Sequence, residues 1–296
     1  MDLHARPTEL SLFSGGGGGL LATQHLLGFR TICYVEIDAY CQRVLQARIA
    51  DGSIDDAPIW DDIRTFDGRA WRGCVDLLSA GFPCTPFSCA GKRRGRDDKR
   101  NLWPDTLRVI EEVRPARVFL ENSPDLRCAR REKGRAAPTQ AGYLGKILGD
   151  LAGLGFDAQW SVLSAKAVGA CHGRRRLWIV AADADGQGQL QQGELLGEGG
   201  RRAGDGADEV GHAAGPRSPQ RQRPLRLTAE YADASRVPDG FGWWAEWPAE
   251  PALCGVDDGV ADRVQRITAL GNGQVPLVAA TAFRMLSERM EEVDSR

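Results

Sequence analysis

Cys84 is the residue of this chain whose surroundings best suit a nucleophile. It lies in the segment Gly81-Phe82-Pro83-Cys84-Thr85-Pro86-Phe87-Ser88, where prolines restrict the backbone on both sides of it. A cysteine attacks as the thiolate, and a thiol with an ordinary pKa of about 8.5 is only slightly ionised at neutral pH. A lone cysteine is more often a buried structural residue. The flanking prolines favour one that is presented to a ligand.

A basic loop follows Cys84 and supplies cations that favour a thiolate. Its charged residues are Lys92, Arg93, Arg94, Arg96, Lys99 and Arg100. Two interpretations fit this loop: a solvated basic surface, or a loop that grips phosphate groups beside the nucleophile.

Three more side chains suited to catalysis flank other apolar runs. Glu121 ends the run 118–121, and a glutamate at the same sheet edge as Cys84 can act as a general acid. Arg174 and Arg176 precede the run 177–182. Because alternate residues of an extended chain point to the same side, both arginines can reach one site. His172, close by, is more typical of a structural hydrogen-bonding residue.

A glycine-rich turn follows the first apolar run, in Phe13-Ser14-Gly15-Gly16-Gly17-Gly18-Gly19. Glycine allows sharp turns and a close approach of the backbone to a ligand. Glu36 ends the next apolar run, about twenty residues on, where a carboxylate can accept the hydroxyls of a ribose. By itself Glu36 fits a solvated strand end equally well. Together the two features favour an adenosine-containing cofactor, and the lack of a following P-loop lysine argues against ATP.

Short apolar runs alternate with stretches of helical spacing through the first 182 residues. The predicted strands are 10–13, 31–37, 75–80, 118–121 and 177–182, and the predicted helices are 20–27, 40–49, 102–113 and 143–154. This alternation predicts an α/β fold with a mostly parallel sheet and helices on both faces. Ligands bind at the carboxyl ends of such strands, so the residues after each strand are expected to carry the function.

Composition limits the class of protein. The 296 residues are 42% hydrophobic and 26% charged, which is typical of a globular chain. The formal net charge of −2 excludes nucleic-acid binding through global basicity, but it permits a local basic groove. The sequence has no transmembrane run and no signal peptide at residues 1–10. None of the eight cysteines forms a C-x-x-C pair, so we expect reduced thiols in the cytoplasm and no metal site.

The chain changes character at Asp183. Residues 186–215 are rich in glycine, and 216–226 add proline, arginine and glutamine, so little of this stretch can build a core. Apolar content returns at Phe241, Trp243, Trp244 and Trp247. A final amphipathic helix is predicted over 277–290. The sequence therefore predicts a large domain, a polar insertion and a return to the large domain.

Six motifs in order make the chain similar to the DNA (cytosine-5)-methyltransferase family over about three quarters of its length. They are Phe13-Ser14-Gly15-x-Gly17-Gly18, Glu36, Asp62-Ile63, Gly81-Phe82-Pro83-Cys84-x-Pro86-Phe87-Ser88, Glu121-Asn122 and Gly271-Asn272-Gly273-Gln274-Val275-Pro276. The segment around Cys84 is the most specific of these. The chain departs from the family pattern at Ser11, Thr85, Ser123 and Cys171-His172, none of which forms or breaks a bond.

This resemblance implies a Rossmann-like class I methyltransferase fold with a small target-recognition domain. It divides the chain into a catalytic domain that binds S-adenosylmethionine (1–182), a target-recognition domain (183–258) and a C-terminal return to the catalytic domain (259–296). The cofactor-binding residues that it implies are Phe13, Gly15, Gly17, Gly18, Glu36, Ile37, Asp62, Ile63, Gly81, Pro83, Leu102, Asn272 and Val275.

The implied activity is transfer of a methyl group from S-adenosylmethionine to C5 of a cytosine. The base would be flipped out of a specific duplex DNA sequence and attacked by Cys84. Glu121, in its protonated form, is expected to hold N3 of the base and relieve the charge that develops there, and Arg174 and Arg176 to hold the base carbonyl and the nucleotide. The DNA-binding residues implied are Ser88, Lys92, Arg93, Arg94, Arg96, Arg221 and Arg223.

The resemblance also implies a monomer that acts on double-stranded DNA without a membrane. It allows a cognate restriction endonuclease as a functional partner that need not bind the chain. Two other functions fit the same scaffold: a tRNA cytosine-5 methyltransferase, and an inactive DNA-binding relative. The inactive relative would be expected to lose Cys84 or Glu121, and both are present.

Overall fold

The computed structural model describes residues 6–83, 101–127, 142–183 and 262–294. The strands are β1 (Thr8–Leu12), β2 (Arg30–Val35), β3 (Ile59–Trp60), β4 (Leu77–Ala80), β5 (Arg117–Asn122), β6 (Phe156–Ser164) and β7 (Arg175–Asp183). The helices are α1 (Gly18–Leu20, continued as a π-helix over Leu21–Leu26), α2 (Ala39–Ala50), α3 (Trp103–Val113), α4 (Tyr143–Gly153), α5 (Arg263–Asn272) and α6 (Pro276–Asp294). Within these ranges, no helix combines the length and apolar character needed to cross a membrane.

The seven strands form one sheet in the order β3-β2-β1-β4-β5-β7-β6. Strands β1 to β5 are parallel, and Leu12 at the end of β1 pairs with Val35 on one side and Ala80 on the other. Strand β7 runs antiparallel to β5, with Glu121 opposite Trp178. The start of β7 therefore lies at the same sheet edge as the ends of the parallel strands.

Helices cover both faces of the sheet. On one face, α3 and α4 bury Val109, Ile110 and Ile147 against strand residues. On the other face, α6 buries Phe283, which meets Phe119 edge-on with the ring centroids 5.3 Å apart. The predicted fold class, a mostly parallel Rossmann-like sheet with helices on both faces, is confirmed. The predicted target-recognition domain (183–258) lies outside the described residues except for its first.

A buried carboxyl group ties together the elements behind the sheet edge. Glu9, in β1, accepts hydrogen bonds from Thr23 Oγ1 and Thr31 Oγ1, both at 2.7 Å, and from Ser79 Oγ at 2.6 Å. Burial raises the pKa of this carboxyl, although the three hydroxyl donors oppose the shift. The network links β1, β2 and β4 to the π-helix, so it fixes the glycine-rich turn from behind.

The structure also contains elements that the sequence analysis did not predict. Strand β6 is one of the two outermost strands of the sheet, and of its residues only Phe156 is buried. Helix α5 is largely exposed, with Val264 and Leu270 at 70% and 72% relative exposure. Residues 156–162 alternate apolar and polar side chains, which is typical of a half-buried edge strand, and Val264, Ile267 and Leu270 recur at helical spacing in α5. Neither run is as continuously apolar as the strands and helices predicted above. The helix predicted over 20–27 is π-helical for most of its length.

Candidate active site

A cleft of about 580 Å³ opens at the carboxyl edge of the parallel strands. Its walls come from the glycine-rich turn after β1, the residues after β2, β4 and β5, the start of β7, one side of α5, and the α5–α6 turn (271–275, which includes the last two residues of α5). The site is built from distant parts of the chain because the parallel register brings their ends to one edge.

Glu36 and the glycine-rich turn form one end of this cleft. The backbone N–H of Gly15 donates to Glu36 Oε2 at 2.6 Å, and that of Asp38 donates to Oε1 at 2.8 Å. The turn itself needs positive φ angles at Phe13 (56°), Gly15 (56°) and Gly17 (90°). Burial raises the pKa of Glu36, while the backbone donors lower it. The carboxylate is thus fixed in place, and it keeps lone pairs for further donors.

Glu121 and Arg176 form the other chemical feature of the cleft. Arg176 Nε lies 2.7 Å from Glu121 Oε1, and the glutamate side chain is buried. Burial raises the pKa of Glu121 to about 7, against the opposing positive charges of Arg176 and Arg174. A carboxyl group with this pKa holds a proton for part of the time at neutral pH, so it is able to act as a general acid.

Arg174 contacts the α5–α6 turn instead of facing the centre of the cleft. Its Nη1 donates to Gly271 O at 2.6 Å and its Nη2 to Gly273 O at 2.9 Å. Burial lowers the pKa of its guanidinium, and so does the charge of Arg176. The two arginines are two residues apart but bind different partners. Arg176 binds the Glu121 carboxyl group, and Arg174 binds backbone carbonyls of the α5–α6 turn.

Asn122 fixes the backbone that leads to Cys84. Its Nδ2 donates to Phe82 O at 2.9 Å, and its Oδ1 accepts from the N–H of Ser123 at 2.8 Å. The side chain is buried, so no water competes for these bonds. Asn122 belonged to a recognised motif, but the sequence alone did not indicate what it would bind.

The structure brings most of the predicted cofactor-binding residues together. Nine line the cleft: Phe13, Gly15, Gly18, Glu36, Ile37, Gly81, Pro83, Leu102 and Asn272. The other four lie elsewhere among the described residues. Asp62 pairs with Arg64 at 2.7 Å, Ile63 is in the core, Val275 packs beside α6, and Gly17 shapes the turn. The predicted roles of all thirteen stay predictions.

The predicted nucleophile and the predicted DNA-binding residues are not among the residues that the structure describes. Cys84, Ser88, Lys92, Arg93, Arg94, Arg96, Arg221 and Arg223 lie outside the described residues. A residue that the sequence analysis did not single out, Gln274, lines the cleft beside the glycine-rich turn. Its only signal in the sequence was its place inside the last motif.

Comparison with known proteins assigns this cleft to a family. The model of the C-5 cytosine-specific DNA methylase family matches residues 8–195. The chain belongs to this family. The matched range contains β1 to β7, and hence the glycine-rich turn, Glu36, Glu121 and both arginines.

Two curated relatives illustrate the similarity. The type II methyltransferase M.NgoMIV of Neisseria gonorrhoeae is 33% identical over 174 residues, covering 59% of this chain and 51% of that protein. The type II methyltransferase M.HpaII of Haemophilus parainfluenzae is 33% identical over 180 residues, covering 60% and 47%. The chain thus spans about half the length of these curated relatives.

One solved structure completes the comparison. A crystal structure of a DNMT2 mutant from Spodoptera frugiperda aligns with a TM-score of 0.48 at 18% identity, covering 60% of this chain and 50% of that one.

S-adenosylmethionine is the cofactor of the C-5 cytosine-specific DNA methylase family, and the cleft fits it. Glu36 offers a fixed carboxylate for ribose hydroxyls. Ile37, 60% exposed, offers an apolar side chain at the same end. The glycine-rich turn exposes backbone without side chains. A cofactor without phosphate groups needs no cluster of cations here.

Proposed function

We propose that this protein is a DNA cytosine-5 methyltransferase that transfers a methyl group from S-adenosylmethionine to C5 of cytosine in duplex DNA. The observation that carries the proposal is the ion pair between buried Glu121 and half-buried Arg176, in the cleft that Glu36 and the glycine-rich turn complete. Such a carboxyl group can give a proton to a ring nitrogen, and the other end of the cleft suits an adenosine.

Glu36, Phe13, Ile37 and the glycine-rich turn would hold the cofactor. When bound, S-adenosylmethionine would supply a methyl group on a positively charged sulfur, which a carbon nucleophile can take up while the sulfur leaves as a neutral thioether. Cytosine C5 is a poor nucleophile in the intact aromatic ring, so the chain must first add electron density to the ring. That task falls to Cys84 and Glu121.

Cys84 would form a bond from its thiolate sulfur to C6 of cytosine. As this bond forms, Glu121 gives its proton to N3, so no negative charge accumulates on the ring. C5 then takes the methyl group and afterwards loses its proton to a base. The sulfur–C6 bond breaks, the thiolate leaves, and the proton on N3 returns to Glu121. The products are 5-methylcytosine and the demethylated cofactor.

Arg176 and Arg174 would have different tasks. Arg176 orients the Glu121 carboxyl group through their ion pair, and its guanidinium would also donate to the carbonyl of the base. Arg174 was predicted to contact the substrate, but its two terminal nitrogens bind backbone carbonyls of the α5–α6 turn. We therefore assign Arg174 a positioning role.

The nucleic-acid side of the proposal rests on the sequence. The target carbon is buried in a duplex, so the nucleotide must be flipped out at a cost of a few kcal/mol. Basic residues of the segment after Cys84 and of 183–258 would recover part of this cost from phosphate contacts. The resemblance also predicts that the protein is a monomer and allows a restriction endonuclease of the same specificity. Both stay predictions.

Mass spectrometry of nucleosides tests the proposed activity. DNA and RNA from a host that expresses the protein are digested separately, with a Cys84→Ser variant as control. New 5-methylcytosine in DNA, absent with the variant, is expected. A signal in RNA alone would favour the tRNA methyltransferase. No signal in either, from folded protein that binds S-adenosylmethionine, would favour the inactive relative.

Replacing Glu36 by Gln is expected to weaken binding of S-adenosylmethionine by about tenfold. The amide keeps the size of the carboxylate, but its NH₂ group faces one of the two backbone N–H donors and cannot accept from them. Calorimetric titration measures the affinity. Glu111→Gln, an exposed glutamate on α3, is the matched control. An unchanged affinity in Glu36→Gln would contradict the proposed ribose site.

Replacing Asn122 by Ala is expected to lower the rate of methyl transfer by roughly tenfold, with little change in cofactor affinity. The change leaves the Phe82 carbonyl without its donor, so the backbone two residues before Cys84 is less well fixed. Single-turnover transfer from radiolabelled cofactor to unmethylated DNA measures the rate. If the variant lost cofactor affinity instead, Asn122 would belong to the cofactor site.

A further inference from the structure

The Gln274 side chain lies between the glycine-rich turn after β1 and the segment that begins at Gly81, and the proposed reaction requires both. It lies in the α5–α6 turn, between Asn272 and the start of α6. On one side lies the glycine-rich turn after β1, and on the other lies Gly81, which leads to Phe82, Pro83 and Cys84. The Gln274 carboxamide is the nearest group to both Gly19 and Gly81.

The contacts with the glycine-rich turn are close enough to exclude side chains there. A Cβ on Gly18 would lie 2.8 Å from the backbone oxygen of Gln274. A Cβ on Gly19 would lie 2.8 Å from Oε1 of the Gln274 carboxamide. The backbone of Gln274 therefore packs on Gly18 and its side chain on Gly19.

The same carboxamide faces the residues of the proposed chemistry. A Cβ on Gly81 would lie 3.2 Å from Gln274 Nε2 and 3.3 Å from Glu121 Oε2. The amide group of Gln274 and the carboxyl group of Glu121 thus border one small space above Gly81. Glu121 is held from its other oxygen by Arg176.

Arg174 fixes the turn that carries Gln274. Its two hydrogen bonds to Gly271 O and Gly273 O bracket Asn272 and end one residue before Gln274. Arg174 directly precedes β7 and Arg176 is its second residue, so the start of β7 holds both the turn of Gln274 and the carboxyl group of Glu121. The geometry joins the cofactor end and the catalytic end of the cleft through one side chain.

We propose that Gln274 is a positioning residue that sets the glycine-rich turn, Gly81 and Glu121 at their working separation. The inference rests on the proposed function, because its effect is on methyl transfer. Gln274 acts by packing and by the orientation of its carboxamide, and it takes no part in bond making. Its loss should therefore slow transfer more than it weakens cofactor binding.

A pair of substitutions tests this contact from both sides. Gly19→Ala has no backbone strain, since Gly19 is helical without a positive φ, and the atoms nearest to its methyl group are the flexible end of Gln274. Gln274→Ala removes the same carboxamide directly. Each change is expected to slow single-turnover transfer to unmethylated genomic DNA by roughly tenfold, with cofactor affinity by calorimetry within about threefold.

The double variant carries the decisive result. Because both changes remove one contact, Gly19→Ala with Gln274→Ala should transfer as fast as Gln274→Ala alone. Combining Gly19→Ala with Gln274→Asn, which is one methylene shorter, should recover part of the lost rate. Gly149→Ala, on α4 with nothing near the added methyl group, is the matched control and should transfer like the wild type.

The other results overturn the inference. Independent, multiplicative costs in the double variant would show that the two residues do not act through one contact. A loss confined to cofactor affinity would place Gln274 in the cofactor site alone. An active wild type with unchanged variants would overturn this inference and leave the proposed function intact. A folded wild type that binds the cofactor and methylates no DNA would overturn both.

Discussion

Glu121→Gln is expected to lower the rate of methyl transfer by about 10²- to 10⁴-fold. The amide fits the same buried space and accepts a hydrogen bond from Arg176, so the cleft keeps its shape. It has no acidic proton to give to N3 of the base, so negative charge builds up on the ring as the sulfur–carbon bond forms. Single-turnover transfer measures the rate, and calorimetry with S-adenosylmethionine shows whether the cleft is intact.

The pH dependence of transfer provides a second readout of Glu121. Its pKa is raised to about 7, chiefly by burial, so the protonated acid is lost as the pH rises through that value. The wild-type rate of single-turnover transfer should therefore carry a one-proton decline centred near pH 7. The residual rate of Glu121→Gln should lack it. A decline that persisted unchanged in the variant would assign the titration to another group.

Glu121 also makes stability depend on pH in a defined direction. Its folded pKa is above the ordinary value of 4.5, so the unfolded chain releases the proton first as the pH rises. The contribution of Glu121 to the free energy of unfolding is therefore complete below pH 4.5 and is lost between 4.5 and about 7. The slope for one proton is at most about 1.4 kcal/mol per pH unit. Urea unfolding at pH 5 and pH 8 should show Glu121→Gln gaining stability relative to the wild type at the higher pH. An unchanged difference would contradict the raised pKa of the buried carboxyl group.

Cys84→Ser is expected to reduce methyl transfer by at least about 10³-fold and to leave cofactor binding unchanged. A serine hydroxyl is far less acidic than a thiol, so its ionised form is nearly absent at neutral pH. The segment before it is held by Asn122 through the Phe82 carbonyl, and the substitution changes none of those atoms. Transfer kinetics and calorimetry measure the two quantities.

A covalent trap distinguishes this nucleophile from a residue that only supports the fold. With 5-fluorocytosine in DNA, methyl transfer leaves fluorine where a proton would depart, so the sulfur–C6 bond cannot be released. Wild-type protein should then form an adduct with DNA that survives denaturing electrophoresis, and Cys84→Ser should form none. Cys74→Ser, an exposed cysteine, is the matched control and should form the adduct. An adduct in Cys84→Ser would assign the attack to another residue.

The sequence determined the fold class and the residues at the strand ends. Apolar runs alternating with helical spacing require a parallel sheet, and the ends of parallel strands meet at one edge. For that reason Phe13, Glu36, Gly81 and Glu121 could be assigned to one cleft before any contact was known, and the structure places all four in it. The glycine-rich turn after β1 and the restricted backbone around Cys84 could also be predicted from the sequence, because glycine and proline act on the backbone directly.

Only the tertiary structure decided which partner each polar side chain takes. Arg174 and Arg176 look equivalent in the sequence, yet one binds the α5–α6 turn and the other binds Glu121. The raised pKa of Glu121 depends on burial by several separate elements, and the place of Gln274 depends on glycines 255 and 193 residues away in the chain. Hydrogen bonds and burial of this kind are set by residues distant in sequence, so no local spacing encodes them.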